Sequence, residues 1–182
     1  MSYEKSRLAE AEAVLGKVAA ADNGAALWLE ERRRVQAGEL DDRPLYWRRL
    51  TLPDDPTWLA NSRNYQPVFR HDVDFRVLVT GFDPFNLDEH IDQSNPSGVI
   101  ALSLDQVALE SQGKMAEIRT FIVPVRFADF DRGLIEQLIE PLLDTLDLLL
   151  TLSMGRVRID LERFPGLRRS SDRHDNDKLL GG

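Results

Sequence analysis

Apolar strand patterns alternate with helical patterns in the second half of the chain, and this alternation constrains the fold more than any other feature. Three short runs rich in β-branched or leucine residues have the character of buried strands: Phe75–Thr80, Glu117–Val125 and Asp147–Ser153. Two helical patterns separate them: Pro96–Glu110 and Asp131–Leu143. This order predicts an α/β fold in which helices cover both faces of a mostly parallel sheet, a three-layer arrangement.

The first 73 residues differ in character from the rest. Apolar residues recur at helical spacing over Leu8–Val18, and a second helical pattern covers Ala25–Ala37 before Gly38. We therefore predict a helical and irregular N-terminal extension over residues 1–73, followed by an α/β domain over residues 74–182.

The end of this extension is rich in proline, charge and aromatic side chains. Residues 39–73 show no sustained apolar period, so we expect an irregular segment that lies on the surface of the domain. Trp47 and Trp58 are the side chains that we expect to anchor it, because large aromatic groups bury the most apolar area.

Composition excludes several classes of function. The net charge is −8 and the pI is about 4.9, which does not favour binding to nucleic acid or to an anionic membrane. No apolar run reaches the roughly 18 residues of a membrane span, and the charged N-terminus is unlike a secretion signal, so we expect a cytoplasmic protein. The acidic clusters around His71 and His90 are interpreted as solvated loops, and no metal or cofactor is predicted.

A glycine turn and two aromatic residues follow the first predicted strand. The segment Thr80–Phe85 reads T-G-F-D-P-F, and N-P-S follows at Asn95–Ser97. In parallel sheets, ligands bind beyond the carboxyl ends of the strands. Phe82 and Phe85 could clamp a flat, uncharged ring there, or they could pack the loop onto the domain. The glycine-rich fingerprint of a dinucleotide site is absent from this turn.

Four motifs, in this order, resemble those of the pyroglutamyl peptidase (pyrrolidone-carboxylate peptidase) family. They are T-G-F-D-P-F with N-P-S, I-V-P-V-R-F at Ile122–Phe127, G-R-V-R-I-D-L-E-R-F at Gly155–Phe164, and D-N at Asp175–Asn176. The resemblance implies an α/β/α sandwich and a cysteine peptidase that removes N-terminal pyroglutamate from peptides. It also implies that Phe82 and Phe85 sandwich the lactam ring, and that Glu162 and Asp175 are functional acids. Members of that family often assemble as homo-oligomers.

The chain departs from that family at the residues that perform the chemistry. It has no cysteine, and Leu152 stands where the family has a substrate-contacting glutamine. The family's catalytic Cys and His lie late in its chain, so we expect a C-terminally shortened relative in which Glu162 is structural and no pyroglutamyl bond is cleaved. The alternative is a non-catalytic binding or interaction module on the same half-fold. A serine hydrolase based on Ser153 is disfavoured because G-x-S-x-G is absent.

Overall fold

The computed structural model describes residues 24–39, 41–43, 56–86, 93–155, 162 and 174–176. The helix predicted over Leu8–Val18 lies outside these ranges, and so do Trp47 and the side chain of Trp58. In the part of the chain that the structure describes, no helix combines the length and apolar character needed to cross a membrane.

A four-stranded sheet forms the centre of the molecule, with the strand order β2-β3-β1-β4. The strands are β1 (Phe75–Phe82), β2 (Ala108–Ser111), β3 (Lys114–Val123) and β4 (Leu148–Thr151). The central strand β1 pairs in parallel with β3 on one side and with β4 on the other. This arrangement confirms the predicted α/β class and its three parallel strands.

The strand β2 corrects one prediction. The helix expected to reach Glu110 ends at Leu104, and Gln106 has a positive φ of 63°. A hairpin then joins β2 to β3 in antiparallel pairing, through a turn at Gln112 and Gly113 with φ values of 53° and 73°. Two consecutive positive φ values are typical of a tight hairpin turn, and such a turn leaves no trace in apolar periodicity. The sheet is therefore mixed at this edge.

Five described helices surround the sheet. They are α1 (Gly24–Gln36), α2 (Pro56–Arg63), α3 (Pro96–Leu104), α4 (Phe127–Asp131) and α5 (Leu134–Leu143). Helix α1 confirms the predicted second helix, whereas α2 lies where an irregular segment was predicted. The last predicted helix begins at Leu134 instead of Asp131. Asp131 ends the separate helix α4, and Gly133 lies between the two helices with a left-handed φ of 66°.

Two apolar cores occupy opposite faces of the sheet, because consecutive residues of a strand point to opposite sides. Phe121 and Ile122, which are adjacent in β3, are both fully buried and belong to different cores. The first core joins α1, α3 and β3, and contains Leu27, Trp28, Val35, Ala101, Leu102 and Ile122. The second contains Tyr65, Leu78, Phe121, Val123 and Ile135. Residues of the predicted extension thus contribute to both cores. The domain boundary at residues 73 and 74 stays a prediction.

Candidate functional site

The first motif, Thr80–Phe85, lies where the parallel strands end, at what we call the carboxyl edge of the sheet. Asp83 follows β1 directly and its side chain is fully buried. One carboxylate oxygen accepts a hydrogen bond from the backbone N–H of Val125 at 2.9 Å. The other lies 3.1 Å from the guanidinium of Arg63, and both side chains are 0% exposed. Asp83 therefore ties the loop after β1 to the segment after β3 and to the end of α2.

The N-P-S motif is bonded to the first motif through Asn95, the N-cap of α3. The side-chain oxygen of Asn95 accepts hydrogen bonds from the N–H of Ser97 at 3.1 Å and from its hydroxyl at 2.8 Å. The Asn95 amide donates to the backbone carbonyl of Asp83 at 3.0 Å, and the N–H of Phe82 donates to the Ser97 hydroxyl at 3.1 Å. The side chain thus both caps the helix and fixes the neighbouring loop, so the two motifs form one unit.

The D-N motif joins this unit from the far end of the chain. The Asp175 carboxylate is buried and accepts a hydrogen bond from the N–H of Phe127 at 2.7 Å. The N–H of Asn176 donates to the carbonyl of Val125 at 2.9 Å, and its side-chain amide donates to the carbonyl of Pro84 at 3.0 Å. Asp175 and Asn176 therefore hold the segment after β3 against the loop after β1.

Two glycines permit helix α3 to approach β1 closely. A Cβ on Gly81 would lie 2.3 Å from the carbonyl oxygen of Ser97. A Cβ on Gly98 would lie 2.4 Å from the carbonyl oxygen of Phe82 and 2.6 Å from a carboxylate oxygen of Asp42. Because real Cβ atoms essentially never come within 3.0 Å of such atoms, any larger residue would push the helix away from the strand. The role of Gly98 is evident only from this packing.

The two phenylalanines of the first motif both lie at the carboxyl edge. Phe82 is the last residue of β1, and Phe85 lies in the loop that follows; both side chains are half-buried. The ring of Phe82 stacks at a tilt of 34° on Phe130 of α4, with 6.2 Å between the ring centroids. One face of Phe82 is thus supported by the protein. The role of the pair as a clamp for a lactam ring stays a prediction.

The other predicted site residues are more exposed. Glu162 is exposed, and the rest of Gly155–Phe164 beyond Gly155 lies outside the described residues. Ser153 is exposed two residues after β4, and His71 and His174 are exposed as well. Of the predicted set, Phe82, Phe85 and Asp175 lie at the carboxyl edge, and no hydrogen bond or ion pair among the described residues connects them to Glu162.

Charged and polar groups near the carboxyl edge are largely satisfied by the protein itself. Arg126 and Asp129 form a two-pronged ion pair in which both nitrogen–oxygen distances are 2.9 Å. The buried Tyr65 hydroxyl has no hydrogen-bond partner among the described residues, and burial raises the pKa of this phenol. Tyr65 is therefore a neutral hydroxyl, and its ring packs edge-to-face on Phe121 with 5.6 Å between centroids. The arrangement favours holding loops in place over proton transfer.

Sequence reasoning missed the residues that connect the motifs. Arg63 reaches Asp83 from the end of α2, and Asp42 accepts a hydrogen bond from the N–H of Asn95 at 3.1 Å. Both come from the segment that was predicted to be irregular and superficial. An aspartate inside a motif and an arginine at a helix end carry no periodic signal, so only the tertiary structure pairs them.

Comparison with known proteins places this chain in a family. Residues 76–180 match the family described as PA0049, C-terminal domain. The uncharacterized protein PA0049 of Pseudomonas aeruginosa is 28% identical over 162 residues, which cover 66% of this chain and 29% of that relative. The chain thus spans less than a third of the length of that relative. No solved structure matches the chain significantly. Since the family match includes more than half of the chain, the chain belongs to the PA0049 C-terminal domain family.

Proposed function

We propose that this domain derives from a pyroglutamyl-peptidase-like enzyme and that its carboxyl edge binds the end of a peptide that begins with pyroglutamate. The observation that carries the proposal is the convergence of three motifs around Asp83. These motifs carry the resemblance to pyroglutamyl peptidases, and they are far apart in the chain. Asp83 and Val125 follow adjacent parallel strands, and Asn176 joins them from a remote part of the chain through hydrogen bonds.

The aromatic side chains suit a small, flat and uncharged ligand. A lactam ring has two apolar faces that can pack on phenylalanine, and an edge with one N–H and one carbonyl that needs hydrogen bonds. Phe82 offers a ring that Phe130 supports from behind, and Phe85 lies in the adjacent loop. Backbone groups of the same loop could bond to the polar edge of the lactam.

Binding without hydrolysis is the expected behaviour of these 182 residues. Acyl transfer in a cysteine peptidase needs a thiolate that attacks the amide carbonyl, and the sequence contains no cysteine. Loss of one member of a catalytic unit typically lowers the rate by several orders of magnitude. We propose that the protein is cytoplasmic. The partner that suits this site is the N-terminal end of a peptide.

A non-catalytic interaction module is the second candidate. The buried carboxylates of Asp83 and Asp175 accept hydrogen bonds from backbone N–H groups, which is a structural use of acidic residues. In this alternative the motifs stabilise the fold, and the partner binds elsewhere.

Titration with a pyroglutamyl amide tests the proposal. The 182-residue chain is mixed with a fluorogenic pyroglutamyl amide, with the matching prolyl amide as control, while amide NMR shifts and released fluorophore are followed. We expect saturable shifts around Phe85 with the pyroglutamyl compound, and no release. Phe85→Ala should abolish these shifts, whereas Phe75→Ala, at the opposite end of β1, should leave them unchanged.

Each of the other outcomes has a definite meaning. Absence of binding, or equal binding of the prolyl amide, overturns the ligand proposal and leaves the interaction module. Turnover within tenfold of an intact pyroglutamyl peptidase contradicts the inactive assignment, and Ser153→Ala then tests for another nucleophile.

A further inference from the structure

Beyond its backbone pairing with β2 and with Gln106 and Val107, the outer edge of β3 is completed at Thr120 by side chains instead of by a strand. Antiparallel pairing with β2 covers only Lys114 to Glu117 of β3. Further along, the backbone N–H of Thr120 donates to a carboxylate oxygen of Asp105 at 2.9 Å. The backbone carbonyl of Thr120 accepts a hydrogen bond from the side-chain amide of Asn64 at 2.6 Å. These two side chains satisfy backbone groups that would otherwise stay exposed at a sheet edge. Beside this part of β3 they also leave a space that a neighbouring strand would otherwise have filled.

A cleft of about 550 Å³ occupies this room. Helix α1 lines it with Leu29 and Arg32, and helix α2 lines it with Thr57 and Asn61. The two residues from α1 are three positions apart and the two from α2 are four apart, so each pair lies on one helix face. The volume lies within the range of roughly 300–1,000 Å³ that is typical of small-molecule sites. The cleft is separate from the carboxyl-edge residues to which the pyroglutamate proposal refers.

Two arginines line the cleft, and the described residues of its lining include no carboxylate. Arg32 and Arg119 have side-chain exposures of 17% and 12%. Behind them, the fully buried carboxylate of Asp105 lies 3.1 Å from Arg32 and 3.4 Å from Arg119. Glu117, whose side chain is 3% exposed, lies 3.7 Å from Arg119. The carboxylates of Asp105 and Glu117 thus pair with the guanidinium groups on the side that faces away from the cleft.

The guanidinium of Arg119 retains hydrogen-bonding capacity. Its Nε is buried and faces a carboxylate oxygen of Asp105 at 3.4 Å, without a hydrogen bond among the described residues. Asp105 is bonded to Thr120 and Arg32, so its lone pairs are largely used. An arginine has five N–H donors in a rigid plane, and a buried arginine that leaves donors unpaired costs free energy. Because Nε itself is buried, a ligand in the cleft would accept hydrogen bonds from the terminal N–H groups of Arg119, a residue that lines the cleft.

We propose that this cleft binds a small molecule that carries a terminal oxyanion, either a carboxylate or a phosphate, on a short apolar body. Guanidinium groups recognise such oxyanions through charge-assisted hydrogen bonds of defined geometry. Asp105 fixes both arginines in advance, so little side-chain entropy is lost on binding. Asn61 and Gln106 supply further amide groups to the cleft, and Leu29, which is 52% exposed, offers an apolar wall for the body of the ligand.

Side-chain NMR of the 182-residue chain tests this site directly. The arginine Nε–Hε signals are followed during titration with sodium benzoate, inorganic phosphate or benzamide, at constant ionic strength. We expect saturable shifts of the Arg32 and Arg119 signals with at least one oxyanion and none with benzamide, which has the same ring without the charge. The comparison of benzoate with phosphate identifies which oxyanion the site prefers.

Matched variants separate a built site from general charge attraction. Arg119→Gln should weaken binding by about tenfold or more, since a charged hydrogen bond is lost. Arg33→Gln removes the same charge from an exposed position of α1, where the side chain is 61% exposed, and should leave the affinity unchanged. Asn61→Asp places a carboxylate in the cleft at an exposed helix position, and should also weaken binding even if Arg119→Gln fails to fold.

Three results would overturn the proposal. These are the absence of saturable shifts with both oxyanions, an equal loss of affinity in Arg33→Gln, and an unchanged affinity in Asn61→Asp.

Discussion

Glu31 offers a test of how the first helix is joined to the domain. Its side chain is 0% exposed on α1, and one carboxylate oxygen accepts a hydrogen bond from Arg34 at 3.1 Å. The other oxygen is buried without a hydrogen-bond partner among the described residues. Burial is the main cause that raises the pKa of Glu31 from 4.5 to about 8; Arg34 opposes this rise, while Asp41 and Asp42 add to it. Glu31 is therefore protonated in the folded protein at neutral pH.

The raised pKa predicts how the stability depends on pH. Between pH 4.5 and about 8, the folded chain retains a proton that the unfolded chain releases. The contribution of Glu31 to the free energy of unfolding is therefore fully present below pH 4.5 and falls as pH rises, by about 1.4 kcal/mol per pH unit. By pH 8 the accumulated loss is roughly 4–5 kcal/mol, and by pH 7 it is roughly 3 kcal/mol.

The substitution Glu31→Gln removes this dependence while it keeps an oxygen that can accept from Arg34. We expect a flatter profile of unfolding free energy between pH 5 and pH 8. At pH 7 the variant should be about 1–2 kcal/mol more stable, because an unpaired amide N–H group offsets part of the gain. Urea unfolding followed by tryptophan fluorescence at four pH values measures both quantities.

Glu30→Gln is the matched control for this experiment. The Glu30 side chain is 36% exposed and pairs with Arg33 at 2.9 Å on the outside of the same helix. We expect its pH profile to have the slope of the wild-type protein. If Glu31→Gln and the wild-type protein have the same slope, Glu31 is charged in the folded state and the reasoning is refuted.

Two further variants test the carboxyl edge, and urea unfolding measures both. Asp83→Asn should lower the free energy of unfolding by about 3–5 kcal/mol, because it removes the carboxylate from a fully buried ion pair with Arg63. Asp72→Asn, in an exposed ion pair with Arg70, should change nothing measurable, and equal effects would contradict the assignment of Asp83. Gly98→Ala should lower stability by about 1–3 kcal/mol, since the new methyl group meets the carbonyl of Phe82. Alanine usually stabilises helices relative to glycine, so a more stable variant would refute the close packing.

Much of the fold could be predicted from local patterns. The β-branched run that forms β1 and the glycine turn after it describe a buried parallel strand, and the structure places that strand between β3 and β4. The helical spacing that predicts α1 is likewise confirmed. These signals succeed because a buried strand and an amphipathic helix each impose their own apolar period on the chain.

The hairpin and helix α2 could not be predicted in the same way. A-L-E-S is compatible with the end of a helix, yet it forms β2 because Gln112 and Gly113 turn the chain back beside β3. Helix α2 has only eight residues, and proline and polar side chains obscure its period. In both places tertiary contacts outweigh weak local preference.

The sequence by itself determined the alternation of strands and helices, the acidic net charge, the absence of cysteine and the presence of the motifs. Only the tertiary structure decided how those motifs are used. It buries Asp83 against Arg63, and it pairs Arg32 and Arg119 with Asp105 beside the part of β3 that β2 does not cover. The reason is physical: periodicity reports which face of an element is buried, whereas the pairing of charges depends on distances between segments that are remote in the chain.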